Sequence, residues 1–419
     1  MNAISRRWSS YAAHENAKTW ALSLAQLISW GSIYYSFSLL LVPMEQTTGW
    51  GRTSMNAALS VGLLISGFAA YPIGTLIDRG YGRIVMSGGS ILGSAMLLLW
   101  SHTHALPILF VVWAGLGVAM AATFYDPVFA VVTRDYPNNF RTKITLITLV
   151  AGFASTVFIP LTQGLVGWYG WRWALIALAS VNLLVAFPIN WLAVKGNRRL
   201  EADRTASAAA KIASQASANR ALRTPTFWAL AISFTAYYAT FAALTFHLVP
   251  LMVERKVSNA LILATMATIG PAQVAARALM FAFGRNVKPA PVGIVVTIAF
   301  PVSVLLLLCA GTSTVLLLSF ALIYGGANGM MTILRGTIVQ DVMWTEGYGA
   351  VSGMLSMPSN IAKGIAPISA AAIWAIGHNY APVEWTVFGV SLLSAAAFFV
   401  AMRSSRINQT EAVSQAPRV

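Results

Sequence analysis

Twelve apolar runs, each of about 20 residues or more, follow one another along this chain, and that length of helix crosses about 30 Å of hydrocarbon. They lie near 19–43, 53–77, 83–101, 105–133, 143–166, 171–194, 225–253, 257–284, 290–310, 313–341, 348–376 and 381–402. The gaps carry turn residues such as Thr48-Gly49-Trp50, Pro137-Asn138-Asn139 and Gly377-His378-Asn379, and most are too short for a separate domain. The exception is 195–224, rich in Ala, Ser, Lys and Arg, which reads as a linker. Only 9% of the 419 residues are charged and 57% are hydrophobic, which excludes a soluble enzyme, a disordered chain or a secreted disulfide scaffold. Cys309 is the single cysteine, so an internal disulfide or a cysteine-based zinc site is excluded too.

A net charge of +15 would suggest nucleic acid as a partner in a soluble protein. The placement of the charges gives another explanation. With the N-terminus in the cytoplasm, twenty of the 27 lysines and arginines fall in cytoplasmic segments. Four, Arg52, Arg172, Arg255 and Lys256, fall in external loops, and three, Arg277, Arg335 and Lys363, inside helices. The positive-inside rule then puts both termini in the cytoplasm, accounts for the basic balance without nucleic acid, and points to a bacterial-type inner membrane as the location. Arg6 and Arg7 precede the first apolar run as in a signal peptide, but the run is too long and lacks a small-residue cleavage pattern, so an uncleaved first helix is expected. The expected organisation is a tail at 1–18, six helices over 19–194, a linker at 195–224, six helices over 225–403 and a tail at 404–419.

The two halves repeat each other at an offset of 207 to 209 residues. Trp20-Ala21-Leu22 returns as Trp228-Ala229-Leu230, Tyr34-Tyr35 nearly as Tyr237-Tyr238, and Leu41-Val42-Pro43 as Leu248-Val249-Pro250. Gly117 falls on Gly326, Thr123 on Thr332 and Asp126 on Arg335. Chance similarity between apolar helices does not readily give shared Trp-Ala-Leu and Leu-Val-Pro at offsets one residue apart, with a Tyr-Tyr pair between them in both halves. Two six-helix bundles in parallel orientation follow.

The stretch Gly74-Thr75-Leu76-Ile77-Asp78-Arg79-Gly80-Tyr81-Gly82-Arg83 between the second and third helices is similar to the Gly-x-x-x-Asp-Arg…Gly-Arg loop of the major facilitator superfamily, with one residue more before the second glycine. Phe283-Gly284-Arg285 is a weaker echo in the second half, without the aspartate. The resemblance covers about 19–403. It implies the all-α fold of twelve transmembrane helices in two pseudo-symmetric six-helix bundles, working as a monomer by alternating access. In such a loop Asp78 can accept hydrogen bonds from a neighbouring helix N-terminus or from Arg83, while Gly74 permits close helix approach and Gly82 stands beside Arg83. Arg79 and Arg83 can equally serve as positive-inside anchors, and the two roles are compatible.

A charge in hydrocarbon costs several kcal/mol, so each intramembrane ionisable residue is a candidate for function. There are four clear ones, Asp126, Arg277, Arg335 and Lys363, with a net excess of positive charge that asks for an anion. The run Gly270-Pro271-Ala272-Gln273-Val274-Ala275-Ala276-Arg277 in the eighth helix, with Lys363 in the eleventh, resembles the oxalate–formate antiporter and monocarboxylate transporter branch. Gly49-Trp50-Gly51-Arg52 resembles that branch as well. The resemblance implies carboxylate binding by Arg277 and Lys363. Gln273 stands where animal monocarboxylate transporters carry an aspartate, and the first helix offers no lysine, so proton coupling through that aspartate is not carried over.

Arg277 supplies a planar fork for bidentate carboxylate binding and Lys363 a movable point charge. The competing reading has both pairing structurally with helix carbonyls or acids. Asp126 and Arg335, at matching positions of the fourth and tenth helices, can pair across the central cavity. Locally, Asp126 can instead meet the basic loop from Arg134 to Lys143, and Arg335 can reach Asp341. Asp126 is the one deep carboxylate and the first candidate for proton coupling. Tyr34, Tyr125, Tyr238 and Asn328 are candidates to line the cavity, since a phenol buried in a membrane needs a polar partner, although packing roles are common for such residues. For His247, near an external helix end, a packing or surface role is expected.

With one deep carboxylate and no acidic or His cluster, neither an intramembrane protease nor a metal-dependent transferase is supported, and no metal or cofactor is expected. A channel would show a pore motif rather than paired halves. The expected function is secondary transport of a small mono- or dicarboxylate, by proton symport or exchange against a counter-anion, with the lipid bilayer as the only other partner. An efflux carrier for drugs or other small molecules on the same fold is the alternative.

Overall fold

In the computed structural model the described residues, 3–196, 204–284 and 287–414, form helices joined by short turns, with no strand among them, and side chains are described over 15–196, 207–284 and 287–405. Parts of the tails and linker (1–2, 197–203 and 415–419) and Arg285 of the second-half echo lie outside them. Ten helical runs are long and apolar enough to cross a membrane. Two of these are double-length, and each turns at a glycine with positive φ, the second opening also at Gly152-Phe153 within its first span. Arg52–Ser101 breaks at Gly80 (φ 92°) and Phe140–Ala193 at Gly170 (φ 80°), a left-handed conformation that a side chain would strain. Twelve spans result.

The chain divides into two compact units, Met1–Ser214 and Gln215–Val419. In the first, α1 (3–48), α2 (52–79), α3 (81–101), α4 (106–135), α5 (140–169) and α6 (171–193) pack in the order α2, α4, α3, α6, α1, α5. In the second, α7 (Pro225–Glu254), α8 (Asn259–Phe283), α9 (Pro289–Ala310), α10 (Thr314–Val342), α11 (Tyr348–Gly377) and α12 (Ala381–Ser414) pack in the corresponding order α8, α10, α9, α12, α7, α11. The internal repeat in the sequence is therefore a repeat of packing order. Residues Arg204–Leu222 of the linker form a further helix.

Local sequence explains several helix ends. Thr224 caps α7 by accepting from Phe227 N, with Pro225 in the first turn, and Ser258 caps α8 by accepting from Leu261 N. Inside α4, Pro127 has no N–H to offer the carbonyl of Thr123, and its ring crowds that carbonyl. The helix opens at Phe124, which takes an extended conformation, and the side-chain amide of Gln26 from α1 donates to Thr123 O instead. Gln26 is fully buried. A second polar tie joins α1 and α6, where Asn182 donates to Ser32, both within wide π-helical turns.

Large aromatics fill each core. Phe37, Trp100 and Trp113 form an edge-on cluster in the first unit, and Tyr237, Phe300, Phe320 and Tyr324 stack in the second. Apolar side chains also cover the outside, including Trp168 at 79% exposed and Ile376 at 87%, as a protein solvated by lipid requires.

Candidate functional site

In the first unit, Gly80 makes the turn between α2 and α3, and the surrounding residues form one hydrogen-bonded face. Asp78 Oδ2 accepts from Ser214 of the linker helix at 2.9 Å. Arg79 donates to Ser207 Oγ at 3.3 Å, and the Tyr81 hydroxyl lies 3.2 Å from the same oxygen. Arg83 Nε donates to Val194 O at 3.0 Å, and its guanidinium lies 5.7 Å from the Trp191 ring. Gly74 and Gly82 are buried at the ends of α2 and α3, and a Cβ on Gly82 would stand 3.0 Å from Val131. Sequence reasoning missed Arg134, which donates to Ile77 O at 2.9 Å, to Lys195 O at 3.2 Å and to Asp135 at 2.9 Å. One guanidinium thus spans three chain segments at this end.

Tyr34 and Tyr125 come together around Trp30. Its ring stacks on Phe124 at 4.1 Å and lies 5.0 Å from Tyr125 and 5.5 Å from Tyr34. The break at Phe124 presents these rings, and Asp126 follows in the first turn of Tyr125–Asp135, where a carboxylate is favoured by the helix dipole. Trp30 gave no sequence signal beyond an ordinary apolar-helix aromatic.

The second unit gathers the intramembrane cations. Arg277 on α8 is 5% exposed; its Nε donates to Gly329 O at 3.2 Å and a terminal nitrogen to Thr332 Oγ1 at 3.3 Å, both on α10. One turn earlier on each helix, Asn328 donates to Gln273 Oε1 at 2.9 Å. The helices meet this closely because position 329 is glycine: a Cβ there would fall on the Gln273 carbonyl. Gly326, the repeat partner of Gly117, is not the close contact, since its Cβ would sit 3.9 Å from Ala276. Gly117 in the first unit does lie against a backbone, the Gly62 carbonyl of α2.

Tyr238 on α7 joins two further cations. Lys363 Nζ lies 4.1 Å from its ring centroid and Arg335 Cζ 5.3 Å, so the positive charges are no farther apart than the sum of these distances. Lys363 also donates to Asn360 Oδ1 at 3.2 Å, and Arg335, 8% exposed, donates to Ser356. Two helices, α10 and α11, therefore deliver cations to one aromatic ring carried by α7, an arrangement suited to holding an anion in a low-dielectric setting. Pro358 and Pro367 flank Lys363 on α11. The carbonyl of Pro367 takes the Nε2 proton of His247 at 2.9 Å, leaving Nδ1 to accept from the Tyr380 hydroxyl at 3.1 Å. His247 is thus a tie between α7 and α11. Burial raises the Tyr380 pKa, and the Glu254 charge adds to the rise.

A membrane-embedded pair of six-helix units with buried charges in the spans defines a transmembrane carrier rather than an enzyme. The family model described as Major Facilitator Superfamily matches residues 22–367, and the chain belongs to that superfamily. Its twelve-helix fold is shared with the human organic anion transporter MFSD10 (TM-score 0.69, 16% identity, 92% of this chain and 99% of that one). The proton:xylose symporter XylE gives a TM-score of 0.72 at 12% identity, over 93% of this chain and 96% of that one. In sequence, monocarboxylate transporter 13 of Rattus norvegicus is 27% identical over 165 residues, 39% of this chain and 36% of that protein. The same transporter of Bos taurus is 26% identical over 165 residues, 39% of this chain and 37% of that protein. The match spans little more than a third of the length of these relatives.

Proposed function

We propose that this carrier moves a small organic anion, a mono- or dicarboxylate, by alternating access, as proton symport or anion exchange. The observation that carries the reading is the delivery of Lys363 and Arg335 to the single ring of Tyr238, close to the α8–α10 seam where Arg277 is braced. A low-dielectric site holding several cations lowers its energy by taking up a carboxylate. Lys363 supplies a point charge that follows the substrate, and Arg277 a fixed fork. Gln273 and Asn328 complete the wall with an amide pair. Tyr34 and Tyr125 are the candidates of the first unit for substrate contact, and Asp126 is its candidate for proton coupling. The partial likeness to a monocarboxylate transporter supports this substrate class.

The gating face of Gly74, Asp78, Arg79, Gly82 and Arg83 holds one conformation and releases it in the other. The chain acts as a monomer in a bacterial-type inner membrane. Both tails, 1–18 and 404–419, and the linker 195–224 face the cytoplasm, with bundles over 19–194 and 225–403. Uptake of labelled mono- and dicarboxylates into proteoliposomes, with and without a pH gradient or internal anion, tests the reading. Saturable uptake that disappears in Arg277→Gln, with the variant still folded, is expected. Stabilisation and transport of lipophilic cations alone, with no anion carried, would replace it by drug efflux.

A further inference from the structure

The first unit carries a second cationic cluster that the proposed transport does not use. Lys143, in the first turn of the helical segment Phe140–Ala151, is only 6% exposed. Its ammonium donates to Thr19 Oγ1 at 3.0 Å and lies 4.2 Å from the ring centroid of Tyr136. Lys195 brings a second ammonium to the same ring, at 4.8 Å. The carboxylate that approaches is Glu15, 3.9 Å from Lys195, while Lys143 forms no ion pair within 4.0 Å among the described residues. A helix N-terminus is electropositive, so a cation in its first turn is on the unfavourable end of the dipole. Two ammoniums on one ring repel each other as well. Lys195 is also held in place, because Arg134 donates to its carbonyl and Arg83 to that of Val194. The cluster is a prearranged excess of positive charge.

Its surroundings indicate what brings the negative charge. Trp20 lies next to Thr19 and is 56% exposed, and Trp191 and Leu192, just before Lys195, are 47% and 72% exposed. Exposed tryptophans beside lysines at helix ends mark the boundary between headgroups and hydrocarbon. An anion seated on Lys195 would have exposed apolar side chains near it in the chain, Trp191 and Leu192. We propose that Thr19, Tyr136, Lys143 and Lys195 form a binding site for the headgroup of an anionic phospholipid, with its acyl chains against Trp20, Trp191 and Leu192. Lys195, whose side chain is 40% exposed, makes the direct contact with the phosphodiester. Lys143 supplies the buried charge at the same ring.

The test is native mass spectrometry of the full chain in detergent, with phosphatidylglycerol, phosphatidylcholine of the same acyl chains, or glycerol 3-phosphate, beside thermal unfolding. Phosphatidylglycerol is expected to be retained and to raise the unfolding midpoint above that in phosphatidylcholine. Retention should fall about fivefold in Lys195→Ala and again in Lys143→Gln, and persist in Lys195→Arg and in Lys288→Ala elsewhere on the chain. Lys195→Ala alone decides the matter if Lys143→Gln does not fold. Equal retention in Lys195→Ala and wild type would overturn the proposal. Stabilisation by glycerol 3-phosphate as large as that by phosphatidylglycerol would also overturn it, in favour of a soluble phosphate site.

Discussion

The two units pack their helices in the same order yet hold different chemistry at corresponding places. Where α4 of the first unit carries Asp126 beside the aromatic group of Trp30, Tyr34 and Tyr125, α10 of the second carries Arg335 against Tyr238. The helix courses differ as well. α4 is broken at Phe124 and mended by a side chain from α1, whereas α10 runs unbroken from Thr314 to Val342 and is gripped by Arg277. The difference teaches that duplication conserves the seams between helices while the polar residues on them diverge. In the proposed mechanism the second unit binds the anion, and the first offers aromatic surface, the coupling acid and the gating face.

The seams are where that comparison breaks most severely. Gly329→Val should prevent α8 and α10 from closing and Gly117→Val should do the same to α2 and α4, each costing about 3 kcal/mol or the fold itself. Gly326→Ala should be tolerated. Fluorescence-detected size exclusion with a heat step reads all three. If the units divide the labour as described, Lys363→Gln should lower anion uptake by at least about tenfold, the cost of a lost charged contact, while the folded fraction stays unchanged. Trp30→Leu should lower it far less, and equal losses would erase the distinction. Gln26→Leu should cost about 1–3 kcal/mol, since it strands the Thr123 carbonyl, and no equivalent polar substitution exists for the unbroken α10. Chemical denaturation or heat unfolding measures it. The smallest effect is expected at Tyr238, where Phe preserves anion affinity and Leu weakens it by about 0.5–2 kcal/mol, because the ring rather than the hydroxyl faces the cations. A tryptophan-quenching or calorimetric titration separates the two substitutions.

The spans were legible because crossing a membrane imposes a length and an apolar composition that little else in the chain satisfies. The pairing into halves was legible from Trp-Ala-Leu and Leu-Val-Pro at offsets one residue apart, with Tyr-Tyr between them in each half. Within the site, the sequence singled out Arg277, Lys363, Arg335 and Tyr238, and two of these, Lys363 and Arg335, meet at the ring of a third, Tyr238. Their partners Thr332, Ser356 and Asn360 were not legible, since short polar residues are common in membrane helices and acquire meaning only from the neighbour they face. The linker helix Arg204–Leu222 was hidden because it lacks an apolar run, and Arg134 because its partners are backbone carbonyls far away in sequence.

The bond from Gln26 to Thr123 O makes two positions about a hundred residues apart answerable to each other. A proline at 127 leaves one carbonyl without its ordinary donor, and a glutamine at 26 provides one from another helix. Each residue is therefore worth different amounts in different backgrounds. With Pro127→Ala the chain regains its own donor, and the loss of Gln26 should become mild. A history that acquired the glutamine first would have passed through stable intermediates, whereas one that acquired the proline first would have crossed a weakened protein. The two positions are thus coupled through a single amide, and a double-mutant cycle on positions 26 and 127 would measure that coupling.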